Sequence, residues 1–152
     1  QGLPNLAPSS EPFQEQKLLP ASNISAVINY YEKGYGRMLK DIDTQKNYGV
    51  PEALVVTVAM AYSGLGAEKD KADWIAGCKV GDNKWKAPAA NFKCAAEELA
   101  KWQKDKACGS DPKCAMKKYF NNDSRLDYDV LLKSFNIWNS DAFRLAKNVQ
   151  TD

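Results

Sequence analysis

Between Pro51 and Gly64 the chain reads PEALVVTVAMAYSG, an almost unbroken apolar segment bounded by a proline and a glycine. Proline costs no hydrogen bond at the first position of a helix, and glycine takes the left-handed conformation that stops one. Leu54, Val55, Val56, Val58, Ala59 and Met60 surround most of the helix circumference, so this helix belongs inside other elements rather than on a surface. Its apolar run, Ala53 to Tyr62, is far short of the roughly 20 residues that cross a bilayer, and no membrane span is expected. A buried central helix is the element around which the remaining sequence has to fold.

The flanking segments read as helices of a different kind. From Ser22, a good cap, Ile24, Val27, Ile28, Tyr31, Tyr35, Met38 and Ile42 recur at steps of three and four, which predicts one amphipathic helix to about Thr44. Residues 65 to 88 are polar and glycine-bearing, a loop holding a short helix around Lys71 to Ile75. Phe92, Ala95, Ala96, Leu99 and Trp102 mark a helix to about Asp105, and Pro112 to Phe120 a shorter one. Asp127 to Ile137 forms another, and Asn139 or Ser140 caps a last one carrying Phe143, Leu145, Ala146 and Val149. Residues 1 to 20 hold four of the seven prolines and read as an extended tail, leaving 21–152 as one all-α domain of about six to seven helices.

Absent and sparse residue types narrow the chemistry. The chain has no histidine, which removes Ser-His-Asp and Cys-His catalysis and the commonest zinc ligand. Acid–base work would fall to carboxylates, tyrosine or lysine. The four cysteines, Cys78, Cys94, Cys108 and Cys114, lack the paired C-x-x-C spacing of a zinc site, so neither a metal nor another cofactor is expected. An even number of them predicts two disulfides and an oxidising compartment, hence a secreted or periplasmic protein.

Helix geometry selects the pairing. With Cys94 and Cys108 at the two ends of one helix, about 21 Å separates them, beyond disulfide reach. Pairing Cys94 with Cys114 would require the chain to run back along that helix within a few residues, although Asp111-Pro112 starts a new one. The expected bonds are Cys78 to Cys94 and Cys108 to Cys114. The 21 basic and 19 acidic side chains are mixed along the sequence, a net charge of +2 that does not argue for nucleic acid. No signal peptide stands at the N-terminus, so the sequence reads as a soluble, mature form.

Three segments in order carry a resemblance. Tyr48-Gly49-Val50-Pro51-Glu52-Ala53-Leu54 leading to Tyr62-Ser63-Gly64, then Pro88-Ala89-Ala90-Asn91-Phe92 with Ala95 and Leu99, then Ser134-Phe135-Asn136-Ile137 are similar to motifs of the soluble lytic transglycosylase and goose-type branch of the lysozyme superfamily. The resemblance covers Tyr48 to about Val149 and implies a lysozyme-like domain whose partner is the glycan strand of peptidoglycan. It implies substrate contacts at Tyr62, Ser63, Phe135 and Asn136; the loop aromatics Trp74 and Trp85 are read as further contacts, flat apolar faces for sugar rings.

One departure matters most. The family's buried helix ends in Glu-Ser-Gly, and that glutamate protonates the glycosidic oxygen, a task for a carboxyl whose pKa is raised by its surroundings. Here the position is Tyr62. A phenol titrates near 10, and burial raises it further, so the standard mechanism is expected to be lost or altered. Glu68, just past the helix, is the nearest replacement acid, and Asp70 and Asp73 follow it in the same polar loop. Two classes of function follow: a lysozyme-like protein that cleaves or merely binds glycan strands, and a non-catalytic helical interaction or inhibitor module. Trp74 and Trp85, in the loop, are the aromatic faces most available to a sugar ring.

Overall fold

In a computed structural model, which describes residues 24–104 and 107–140, the apolar segment forms helix α4, Glu52–Ser63, and occupies the centre. Every residue from Ala53 to Met60 is buried. Pro51 precedes the first turn, its carbonyl accepting from the Leu54 N–H at 3.0 Å. At the other end Gly64 donates to Met60 O, and Leu65 reaches back to Ala59 O at 3.2 Å, the double bond pattern that closes a helix at a left-handed glycine. Leu65 is itself fully buried, so the stop is also a packing point.

Six further helices wrap this one. They are α1 (Ile24–Glu32), α2 (Tyr35–Ile42), α3 (Thr44–Tyr48), α5 (Pro88–Lys104), α6 (Pro112–Tyr119) and α7 (Tyr128–Trp138). Two short 3-10 turns, Lys69–Trp74 and Asn83–Trp85, lie between α4 and α5. The long helix α5 touches α2, α3, α4, α6 and both turns, while α7 packs along α4. Leu54, Val55, Phe92, Leu99, Met116 and Leu131 meet in one core. The described residues contain no strand, and the domain is all-α.

The single helix expected from Ser22 to about Thr44 is in fact two, α1 and α2, with a third, α3, starting at Thr44. Gly34 sits at φ 69° and ends α1, and Asp43 at φ 51° separates α2 from α3. The second break is held by side chains: Asp43 accepts from Lys46 N, Asn47 donates to Ile42 O at 2.7 Å, and Thr44 donates to Val50 O at 2.8 Å. Breaking the helix lets Ala26 and Tyr30 on α1 and Tyr35, Leu39 and Ile42 on α2 all face the core, which one straight rod cannot do. The expected tail over residues 1–20 and the expected last helix after Ser140 lie outside the described residues.

Both expected disulfides form, although Cys94 lies within α5 and Cys108 beyond its end rather than at the two ends of one helix. Cys78 joins Cys94 with Cα atoms 6.0 Å apart, and Cys108 joins Cys114 at 5.4 Å. The starts of α6 and α7 follow the local code: Asp111 accepts from Lys113 N and Cys114 N, and Asp127 from Asp129 N and Val130 N. Replacing Asp127 by alanine removes the only side-chain cap of the helix that packs on α4. The expected loss is about 1 kcal/mol, read as a midpoint shift in urea unfolding with an unchanged slope.

Candidate functional site at the end of α4

The end of α4 is tied to the loop beyond it by a buried hydroxyl. Ser63 is 0% exposed; its Oγ lies 2.7 Å from Ile75 O and accepts from Gly66 N at 2.9 Å. Both functions of the hydroxyl are spent inside the protein, which leaves Ser63 no face for a substrate. The preceding residue is different. Tyr62 is half-buried and packs its ring against Gly77, where a Cβ atom would stand 2.6 Å from Cδ1 and 2.7 Å from Cγ. Only glycine lets a tyrosine sit there.

A lysine stands over the same ring. Lys71 Nζ lies 5.0 Å from the Tyr62 ring centroid, donates to Tyr62 O at 3.3 Å, and pairs with Glu68 at 3.4 Å. Glu68 is thus held by a cation with its side chain 53% exposed, the reverse of the dry site a general acid needs. Beneath the same loop, Tyr119 donates to Ala76 O at 2.6 Å. Burial pushes its phenol well above the ordinary range, with Glu98 and Tyr62 adding to the rise. Glu98, on α5 with its side chain 24% exposed, is the more enclosed carboxylate here, and it is bracketed by Lys79 at 3.5 Å and Lys101 at 3.3 Å.

The loop that carries these groups hangs on one residue. Asn91, fully buried on α5, accepts from Ala76 N at 2.9 Å and Cys78 N at 3.2 Å, and donates to Cys78 O and Trp85 O, both at 2.9 Å. Its amide therefore fixes both limbs of the loop, next to the Cys78–Cys94 bond. Trp85 is half-buried against the core, with Lys84 Nζ 5.0 Å and Lys79 Nζ 5.7 Å from its ring centroid. Trp74, also half-buried, gives its carbonyl to Gly77 N at 2.7 Å. Tyr62 thus rests on Gly77, and the backbone of Trp85 is tied to that of Cys78 through the Asn91 amide.

The third motif sits elsewhere in character. Phe135 on α7 is 8% exposed and belongs to the core, whereas Asn136 next to it faces solvent. Of the expected contact residues, Tyr62 meets the loop at Gly77, Trp74 and Trp85 lie on the loop half-buried, and Ser63 and Phe135 serve packing. Asn91 carries more of the site than its place in a short motif suggested. It shares the helix face of Ala95 and Leu99 at steps of four, and a lone amide on an apolar stripe is the sign that a buried network awaits it.

Away from the α4 loop, Arg125 beside Asp123 pushes its carboxyl down to about 2, and Lys113 pushes Asp129 down. Among the described residues no group of three or more cysteines and carboxylates is placed to hold a metal, and no helix is long and apolar enough to cross a membrane. The chain matches no family of known proteins, no curated protein and no solved structure.

Proposed function

We propose that this chain is a lysozyme-like module of a secreted or periplasmic protein that holds the glycan strand of peptidoglycan and does not cleave it. The observation that carries this reading is Tyr62, seated on Gly77 and flanked by Lys71 at the helix end where the resembling enzymes keep their acid. A phenol cannot replace a glutamic acid there, and the ion-paired Glu68 beside it is no substitute. What remains is a rigid, aromatic-bearing loop: Trp74 and Trp85 stand on a backbone fixed by Asn91 and a disulfide. Flat apolar faces with polar neighbours on a fixed frame suit the ring faces and hydroxyls of a sugar chain.

The test uses the purified full chain and intact sacculi. The chain is expected to sediment with sacculi and release no soluble fragments, with Glu68→Gln behaving as the parent. Trp85→Ala should weaken retention about tenfold, the equivalent of roughly 1.4 kcal/mol of lost stacking. Release of soluble muropeptides that Glu68→Gln abolishes would overturn the non-catalytic reading. A chain that neither binds nor cleaves would instead favour a helical interaction or inhibitor module. Tyr62→Glu is expected to stay inactive, because the Lys71 ammonium beside that position would keep a carboxyl ionised.

A further inference from the structure

Helix α1 carries two apolar faces, and the core uses one of them. Ala26 and Tyr30 are buried, whereas Ile24 and Ile28, one turn apart, are 52% and 47% exposed. At about 100° per residue the two isoleucines lie roughly 160° around the helix from the buried pair, almost on its opposite side. Val27 and Tyr31 flank them, packed partly against the core. Together Ile24, Val27, Ile28 and Tyr31 follow steps of three and four, the stripe of a helix that meets a second element. Among the described residues only Val80 is a comparably exposed large apolar side chain, and it stands alone in a loop.

The chain itself returns to this helix. At the end of α7 the Trp138 ring stands 5.2 Å from the Tyr30 ring of α1, centroid to centroid, and the described residues stop two positions later at Ser140. In the sequence that follows, Ala142, Leu145, Ala146 and Val149 repeat the spacing of three and four, with Phe143 at the edge of the stripe. The nine residues of α1 measure about 14 Å, and residues 141–149 wound as a helix match that length. A second copy of the chain fits less well, because two isoleucines and the edges of two neighbours fall far below the roughly 800 Å² per partner of a stable dimer. A tethered segment needs no such area, since a short link holds it at an effective concentration of order millimolar. Residues 1–23 are tethered too, but Pro4, Pro8, Pro12 and Pro20 interrupt any helical stripe there.

We propose that the Ile24–Ile28 face of α1 is the docking site of the segment 141–149 of the same chain, which latches α7 to α1. The direction follows from where the segment begins. Tyr30 lies in the last turn of α1, so a chain that leaves beside it has to run back toward Ile24 to meet the stripe, antiparallel to α1. The apolar side of the segment then covers the two isoleucines, and its polar side, with Arg144, Lys147 and Asn148, stays in water.

Trypsin reads this docking in the full chain, because Arg144 and Lys147 lie inside the segment and Lys17 is the one basic residue before α1. Each rate is taken against a free peptide of residues 139–152 with the same sequence, which sets the undocked limit. The parent should be cut after Arg144 and Lys147 about tenfold or more slowly than the peptide, in proportion to its open fraction. I24S/I28S should approach the peptide rate, with cleavage after Lys17 and within 24–140 as in the parent. L145S/V149S, which leaves α1 untouched, should do the same, and it decides the matter if I24S/I28S also opens sites within 24–140. Combining the two pairs should add little, since both remove one contact. V80S, which removes an equally exposed apolar side chain elsewhere, should be cut as the parent. Peptide-like cleavage of the parent, equal acceleration in V80S, or additive effects of the two pairs each overturns the proposal. So does acceleration confined to Lys17, which gives the face to residues 1–23, or protection that is lost on dilution, which gives it to a second copy.

Discussion

Asn91→Ala is expected to be among the most damaging single substitutions in this chain, costing about 4 kcal/mol. The asparagine amide makes four hydrogen bonds to the loop backbone, and alanine leaves the N–H groups of Ala76 and Cys78 and the carbonyls of Cys78 and Trp85 without it. Each deserted buried group costs about 1–3 kcal/mol, reduced where water enters the space left behind. In a chain of this length the loss corresponds to a fall of roughly 10 °C or more in melting temperature. The Cys78–Cys94 bond keeps the loop attached but does not replace those bonds. Asn91→Asp separates the donor and acceptor halves of the argument. A carboxylate still accepts but no longer donates and is charged in a buried site, so the variant should be as unstable as alanine at neutral pH. Burial raises that carboxyl's folded pKa above its unfolded value, so part of the stability returns in mildly acidic buffer, where the acid is neutral and donates one bond. Melting curves at two pH values check both points. A loss below about 1 kcal/mol for Asn91→Ala would mean that the disulfide alone holds the loop.

How much of this was legible beforehand follows from the range of each signal. The α4 helix announces itself because proline, glycine and an all-round apolar surface are local. The caps at Asp111 and Asp127 are local as well, and the new helix start at Asp111-Pro112 kept Cys114 close to Cys108. The break at Gly34 was hidden because Tyr31, Tyr35 and Met38 continue a helical period straight through it. Periodicity reports which residues are apolar, not whether the axis turns between them. Ser63 shows the same limit at the site. Its spacing beside Tyr62 suggested a substrate contact, whereas its hydroxyl meets a carbonyl twelve residues further on, a partner no local pattern encodes. Phe135 was read as a cleft residue from a short motif, and the packing of α7 on α4 takes it into the core.

Gly77→Ala tests the seat of Tyr62 directly and should cost about 3 kcal/mol. Two terms contribute. Gly77 has φ +69°, which costs an L-residue roughly 1 kcal/mol, and the new Cβ would stand 2.6–2.7 Å from Cδ1 and Cγ of the Tyr62 ring. Those atoms lie at the base of the ring rather than at a flexible tip, so the tyrosine must leave its seat and its place beside Lys71. Relief by a second substitution identifies the cause. In a Tyr62→Ala background the clash is gone and only the backbone term survives, so Gly77→Ala should then cost about 1 kcal/mol, a coupling of roughly 2 kcal/mol in a double-mutant cycle. Additive costs would mean that the glycine is required by the turn alone and that Tyr62 is not pinned by it. The same variants bear on the proposed function, in which Tyr62 stands where a cleaving enzyme would keep its acid. Gly77→Ala should lose sacculus retention even at temperatures where the domain stays folded, since the displaced ring disturbs the stretch that carries Trp74, while Tyr62→Phe, which keeps the seat and removes only the phenol, should retain binding and remain without glycosidase activity.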